Sequence, residues 1–225
     1  MLNDPLHALP ALKQVIEKAP GHIQSKVRLS AHLPNWLEQI QLHANRRQAK
    51  QAFAADVAAG KRSLDVVKVP LYDYQREGML HLAFTGRAVL ADEMGLGKTV
   101  QAVAACELLR RLHGIQRVLV ISPASLKGEW QEQIGKFTDL SSLIIQGSRA
   151  NRLSLYRNNS FFYLANYEQV RPDFLEMNQI LAPDVIILDE AQRIKNWQTK
   201  IATAVKRLHS PYAFVLTGTP VENHI

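Results

Sequence analysis

From Val69 onward the chain alternates between short apolar runs and longer amphipathic stretches. The apolar runs predict strands at Arg87–Ala91, Arg117–Ile121, Ser142–Ile145, Phe161–Ala165, Asp184–Leu188 and Tyr212–Thr217. The stretches between them predict helices at Asp73–Phe84, Thr99–His113, Ser125–Phe137 and Trp197–His209. Strands that are apolar throughout are buried on both faces, which requires helices above and below them. The expected fold class is therefore α/β, with a mostly parallel central sheet flanked by helices. Residues before this region read differently, as a helical N-terminal segment. Asn35 is placed to cap a helix from about Trp36 to Ala59, and Gly60 to end it. Leu37, Ile40, Ala44, Phe53 and Val57 give that helix a partial apolar stripe, with Arg46, Arg47 and Lys50 on the opposite side. The expected division is a helical accessory segment over residues 1–68 and a larger lobe over residues 69–225. Val221 to Ile225 follow a strand and a turn without a closing element, so a longer parent chain is expected.

Composition narrows the setting. The 225 residues are 47% hydrophobic and 21% charged, an ordinary globular balance, and no apolar run of 18 or more residues exists to span a membrane. The N-terminus lacks a basic segment leading into an apolar one, which argues against export. The lone Cys106 cannot form an internal disulfide and lies in an apolar helical pattern, so a core position and an intracellular setting are expected, cytoplasmic or nucleoid in a prokaryote. The net charge of +7 favours polyanionic partners. Because the Lys and Arg residues are scattered, charge alone fits a solvated basic surface equally well.

The candidate chemistry lies at the ends of strands. Asp92-Glu93-Met94-Gly95-Leu96-Gly97-Lys98-Thr99 follows the apolar run Ala88–Ala91 and opens a helix, the context of a phosphate-binding loop. Gly95 and Gly97 let the backbone turn its N–H groups inward, and the helix N-terminus favours negative charge. Lys98 is placed to reach the β- and γ-phosphates of ATP, and the Thr99 hydroxyl to ligate Mg2+. The general loop pattern asks for Gly where this chain has Asp92. Downstream, the run Asp184–Leu188 delivers Asp189 and Glu190 to a strand end. Asp189 suits a hold on Mg2+, and Glu190 a general base for water. Tyr74-Gln75-Arg76-Glu77-Gly78 precedes the loop, and the Gln75 amide offers the donor and acceptor that read adenine. Thr217-Gly218-Thr219 forms a hydroxyl-rich turn after the last strand, placed to sense the γ-phosphate. The eight histidines and the lone cysteine show no metal-ligand spacing, leaving Mg2+ with the nucleotide as the expected metal.

With these elements in this order the chain resembles the SNF-type (sucrose-non-fermenting, chromatin-remodeller-like) ATPases of helicase superfamily 2. The match runs from the glutamine motif at Tyr74–Gly78 through the loop at Asp92–Thr99, where Asp92 is itself typical of that family. It continues through Val118–Leu126 with Trp130 following, Ala165–Glu168, Asp189–Asn196 and Leu216–Asn223. The resemblance implies a first RecA-like lobe of a motor that tracks double-stranded DNA. It also implies a second lobe in the parent protein that supplies an arginine finger. Ser122, Ser125, Lys127 and Asn166 are the implied phosphate contacts, and Thr217, Gly218 and Thr219 the implied coupling turn. As an isolated lobe the chain is expected to bind ATP-Mg2+ and turn over slowly. The alternatives are a superfamily 2 RNA or DNA helicase of a neighbouring branch, and a truncated nucleotide-binding scaffold with little turnover.

Overall fold

The structure, a computed structural model, describes residues 14–24, 26, 27, 30, 32–93, 95–194 and 199–218. It divides into two compact units, Met1–Ala59 and Gly60–Ile225. In the first unit a short helix α1 (Gly21–Gln24) precedes a long one, α2 (Leu33–Ala58). Asn35 does not cap α2: the helix already starts at Leu33, with Pro34 in its first turn, where a missing N–H costs nothing. Gly60 follows the helix with φ +69°, the left-handed stop that the sequence predicts. Leu37, Ile40, Ala44, Phe53 and Val57 are among its less exposed positions, as their periodicity requires. The larger unit begins before the boundary expected at residue 68. Val66 is buried and its carbonyl accepts from Arg111 Nη2 at 2.8 Å, while Lys68 N donates to Phe137 O at 2.9 Å.

The larger unit is built on six parallel strands in the order β1-β6-β5-β2-β4-β3: β1 (Arg87–Leu90), β2 (Val118–Ser122), β3 (Ser142–Ile144), β4 (Phe162–Asn166), β5 (Val185–Asp189) and β6 (Tyr212–Leu216). α3 (Asp73–Thr85) leads into β1, and the five crossovers that parallel strands need are helical: α4 (Lys98–His113), α5 (Lys127–Phe137), α6 (Arg149–Leu155), α7 (Tyr167–Glu176) and α8 (Lys200–Lys206). β2 lies mid-sheet with Leu119 opposite Tyr163 on one side and Ile186 on the other, and every residue of it is buried. Side chains alternate across the sheet. Leu119, Ile121, Tyr163, Ala165 and Ile186 form one core with Val170 of α7 and Ala204 and Val205 of α8. The α4 side is equally dry: Ala102 to Cys106 are wholly buried, and burial pushes the Cys106 thiol far up.

Two helices are additions to the predicted pattern. α6 starts where the Ser148 hydroxyl accepts from Asn151 N, and α7 holds Pro172 within it before running into a π-helical turn at Met177–Leu181. They are joined by Asp173, fully buried, which accepts two bonds from Arg152 (2.6 and 2.9 Å) and one from Tyr156 Oη (3.0 Å). Thr199 caps α8, which ends at Lys206, short of the predicted His209. Trp197, at the predicted start of this helix, lies outside the described residues.

Candidate nucleotide-binding site

All six strands point the same way, so the loops that follow β1 and β5 open on one edge of the sheet, where ligands of open α/β sheets bind. The loop after β1 turns through Gly95 (φ +87°) and Gly97 (φ +73°) into α4. Gly97 is required twice over. Its φ is left-handed, and a Cβ there would stand 2.7 Å from Gln75 Nε2. Lys98 Nζ donates to the loop's own carbonyls, Asp92 O and Glu93 O, each at 2.9 Å. Met94 lies outside the described residues.

Two glutamines hold the loop from behind. Gln101, one turn into α4 and fully buried, donates through Nε2 to Asp92 Oδ2 at 3.1 Å and to Leu96 O at 3.2 Å. This bond accounts for Asp92 in place of the usual glycine: its carboxylate pins the start of the loop to the helix the loop opens. Gln75 is also buried. Its Oε1 accepts from Tyr72 N at 3.1 Å and its Nε2 lies 3.5 Å from Leu96 O. The residue expected to read adenine thus lies against the loop backbone. Gln101 went unnoticed in the sequence; its signal was its place one turn beyond the loop lysine, on the side facing back to the loop.

Across the edge, Asp189 closes β5 and is 7% exposed. Its Oδ2 accepts from Trp130 Nε1 at 2.8 Å, its Oδ1 from Glu190 N at 2.9 Å, and its carbonyl from Tyr167 Oη at 2.7 Å. Burial raises the Asp189 pKa and the Glu190 charge adds to it, while the Trp130 and Glu190 N–H bonds and Lys98 oppose the shift. Glu190 has φ +52°, a left-handed conformation that costs a non-glycine residue about 1–3 kcal/mol and recurs at functional sites. Gln192 Nε2 donates to Glu190 Oε2, and Gln192 Oε1 accepts from Thr217 Oγ1 at 3.0 Å. One amide therefore ties the acidic pair to the turn after β6. A cavity of about 380 Å3 is lined by Gly97, Lys98 and Thr99 together with Trp130, Asp189 and Glu190. Among the described residues no group of three His, Cys, Asp or Glu side chains could hold a metal by itself. Thr99 and Asp189 both line this cavity, and a hydroxyl and a carboxylate are the oxygen donors that Mg2+ takes alongside phosphate and water.

The residues expected to meet nucleic acid divide. Ser125 is exposed in a 3-10 turn (Ala124–Leu126) before α5. Ser122 is 1% exposed and its hydroxyl donates to Pro123 O, so it faces inward. Lys127 and Asn166 are brought together: Lys127 Nζ donates to Asn166 Oδ1 at 3.2 Å and to Ile145 O at 2.8 Å. Desolvation lowers the Lys127 pKa, against the pull of Glu168. Thr217 is buried, Gly218 is half-buried, and Thr219 lies outside the described residues.

Comparison with known proteins places the chain in a family. Residues 74–225 match the family model of the SNF2-related domain. The chain is similar to human TATA-binding protein-associated factor 172, 33% identical over 217 residues that make up 84% of this chain and 11% of that protein. It is similar to the putative ATP-dependent helicase/translocase YwqA of Bacillus subtilis, 35% identical over 168 residues, 70% of this chain and 18% of that protein. Among solved structures it resembles the Sulfolobus solfataricus SWI2/SNF2 ATPase core in complex with dsDNA. There the TM-score is 0.66 at 33% identity, covering 72% of this chain and 35% of that one. The chain thus spans a small part of the curated relatives it matches. The matched segment contains the loop, both glutamines and the acidic pair, and with them the chain belongs to the SNF2-related domain family.

Proposed function

We propose that this chain binds ATP with Mg2+ and hydrolyses it as the first motor lobe of a double-stranded DNA translocase or remodeller. The observation that carries the reading is one cavity lined by Lys98 and Thr99 of the loop and helix and by Asp189 and Glu190 of the β5 end. The backbone N–H groups of the Gly95–Gly97 loop and of the α4 N-terminus bind the phosphates. Lys98 exchanges two neutral carbonyl acceptors for phosphate oxygens, a gain because bonds between two charged partners are the stronger. Bound Mg2+ supplies charge neutralisation at the phosphates, with Thr99 and Asp189 as its protein ligands. Glu190, aimed by its left-handed backbone and held by Gln192, orients water and accepts its proton. Thr217, bonded to the same Gln192, links that event to the turn after β6. Gln75 reads adenine by giving up its 3.5 Å contact with Leu96 O while its Oε1 stays on Tyr72 N.

The DNA reading rests on family membership, on the duplex bound in the Sulfolobus structure, and on the clustering of Lys127 and Asn166 beside exposed Ser125. Full turnover needs the second lobe, whose arginine is worth on the order of a thousand-fold or more in rate. Steady-state ATP hydrolysis with and without duplex DNA, on the chain and on Glu190→Gln, tests the reading. Slow turnover lost in the variant, with ATP still bound, is the expected result. Turnover unaffected by the substitution, or no ATP binding, would refute the catalytic assignment. Strand displacement by the parent protein would favour the helicase branch instead.

A further inference from the structure

Asp189 is held by more than its own strand. Trp130 and Tyr167, 1% and 4% exposed, each send it a hydrogen bond from a different segment of the fold. Trp130 stands one helical turn past Lys127 on α5, and Tyr167 directly follows Asn166 at the end of β4. Lys127 and Asn166 are bonded to each other, and Gln169 of α7 donates to the same Ile145 carbonyl that Lys127 uses. The two segments proposed to meet DNA are therefore fastened together at the surface. Below it, they converge on one aspartate, the indole on its carboxylate and the phenol on its carbonyl.

The indole bond is more than a packing contact. A Phe at position 130 would fill most of the same core space, whereas the buried N–H has Asp189 Oδ2 as its acceptor at 2.8 Å. Each carboxylate oxygen has room for about two partners, so a bond from Trp130 on Oδ2 and one from Glu190 N on Oδ1 leave a position on each for a metal or its water. These two donors also fix the rotation of the carboxylate, which decides where its free positions point. Groups that orient a metal ligand in this way are commonly worth 10–100-fold in metal affinity.

We propose that Trp130 is a positioning residue for the divalent metal: it holds the Asp189 carboxylate in the orientation that receives Mg2+, from the helix that begins at Lys127. The proposal rests on the reading of Asp189 as a metal ligand. Trp130→Phe keeps the aromatic bulk and removes the N–H. The readout is the factor by which Mg2+ tightens ATP binding, taken as the ratio of affinities in EDTA and in saturating Mg2+. A packing role would move both affinities together and leave the ratio fixed; the positioning role lowers the ratio by about tenfold or more. An unchanged ratio in the variant, beside a large one in the wild type, overturns the proposal and leaves the nucleotide site standing. A wild-type ratio of one removes both. The unsubstituted chain offers an independent check. It has three tryptophans, and the indole N–H resonance of Trp130 shifts when Mg2+ is added to the ATP-bound protein. A resonance that stays still overturns the proposal even if the variant does not fold.

Discussion

Gly78 and Gln101 make a pair whose coupling is predicted to reverse the sign of a mutation. Gly78 lies inside α3, and a Cβ on it would sit 1.7 Å from Gln101 Oε1 and 2.9 Å from its Cδ. Gln101 is fully buried, so Gly78→Ala must drive the amide away from Asp92 Oδ2 and Leu96 O. Overpacking costs about 1–3 kcal/mol. Loss of the bond to the charged Asp92 adds about 1.5–3 kcal/mol, and loss of the bond to Leu96 O about 1 kcal/mol. Allowing for relaxation, we expect Gly78→Ala to destabilise the larger unit by about 3 kcal/mol. In a Gln101→Ala background the obstacle is gone, and the next nearest atom, Leu90 Cδ1 at 3.5 Å, is at ordinary contact distance. There Gly78→Ala should stabilise the protein by about 0.5–1 kcal/mol, the usual preference for Ala over Gly within a helix. A four-variant cycle in urea, followed by circular dichroism and tryptophan fluorescence, measures the coupling. If Gly78→Ala costs the same in both backgrounds, the close approach of these two residues is not what selects glycine.

Lys98→Ala should abolish measurable ATP binding while leaving the melting temperature within a few degrees of the parent, checked by calorimetric titration and a thermal melt. Glu190→Gln should keep ATP affinity and reduce turnover by about 10²–10⁴-fold in a steady-state assay. Arg152→Ala removes two short bonds to the fully buried Asp173 and leaves it Tyr156 Oη and a longer 3.7 Å ion pair with Arg149 Nε, so a loss of about 3 kcal/mol is expected in chemical denaturation. Burial alone pushes Glu107 up, but bonds from Arg110 and Arg111 outweigh it and hold the carboxyl below its ordinary range. That contribution is therefore present above the unfolded pKa near 4.3 and lost as pH falls through the lower folded value. In Glu107→Gln this part of the acid dependence should be missing from denaturation curves taken across that window.

The six strands were legible because their apolar runs are short, continuous and separated by amphipathic stretches; the runs Val118–Ile121 of β2 and Phe162–Ala165 of β4 are also wholly buried. α6 and α7 were not, since Arg149–Leu155 is largely polar and Pro172 reads as a breaker until a structure shows it accommodated. Asn35 has the chemistry of a cap, yet Pro34 is compatible with a first turn and the helix begins upstream of both. In the site, the loop, the lysine and the acidic pair follow from local order along the chain. What holds them does not. Trp130 counts as apolar in any periodicity, and its bond to Asp189 joins residues far apart in sequence. Ser122 was expected as a phosphate contact from the family resemblance, but the last residue of a central strand is still inside the sheet.

The strand order carries a consequence for how the protein is made. Among the described residues β1, which presents the phosphate-binding loop, has a single neighbour in the sheet, and that neighbour is β6, the last of the six strands in sequence order. During synthesis β2, β4 and β5 can pair as they emerge, while β1 waits through more than a hundred residues for Tyr212–Leu216. Pairings this distant form slowly, because the loop between the strands must close before their contacts reward it. The phosphate-binding loop therefore gains its sheet partner only once β6 has emerged. A nascent chain stopped before β6 would carry every residue of the loop and still lack the strand that pairs with β1, so acquisition of ATP affinity reports the arrival of β6.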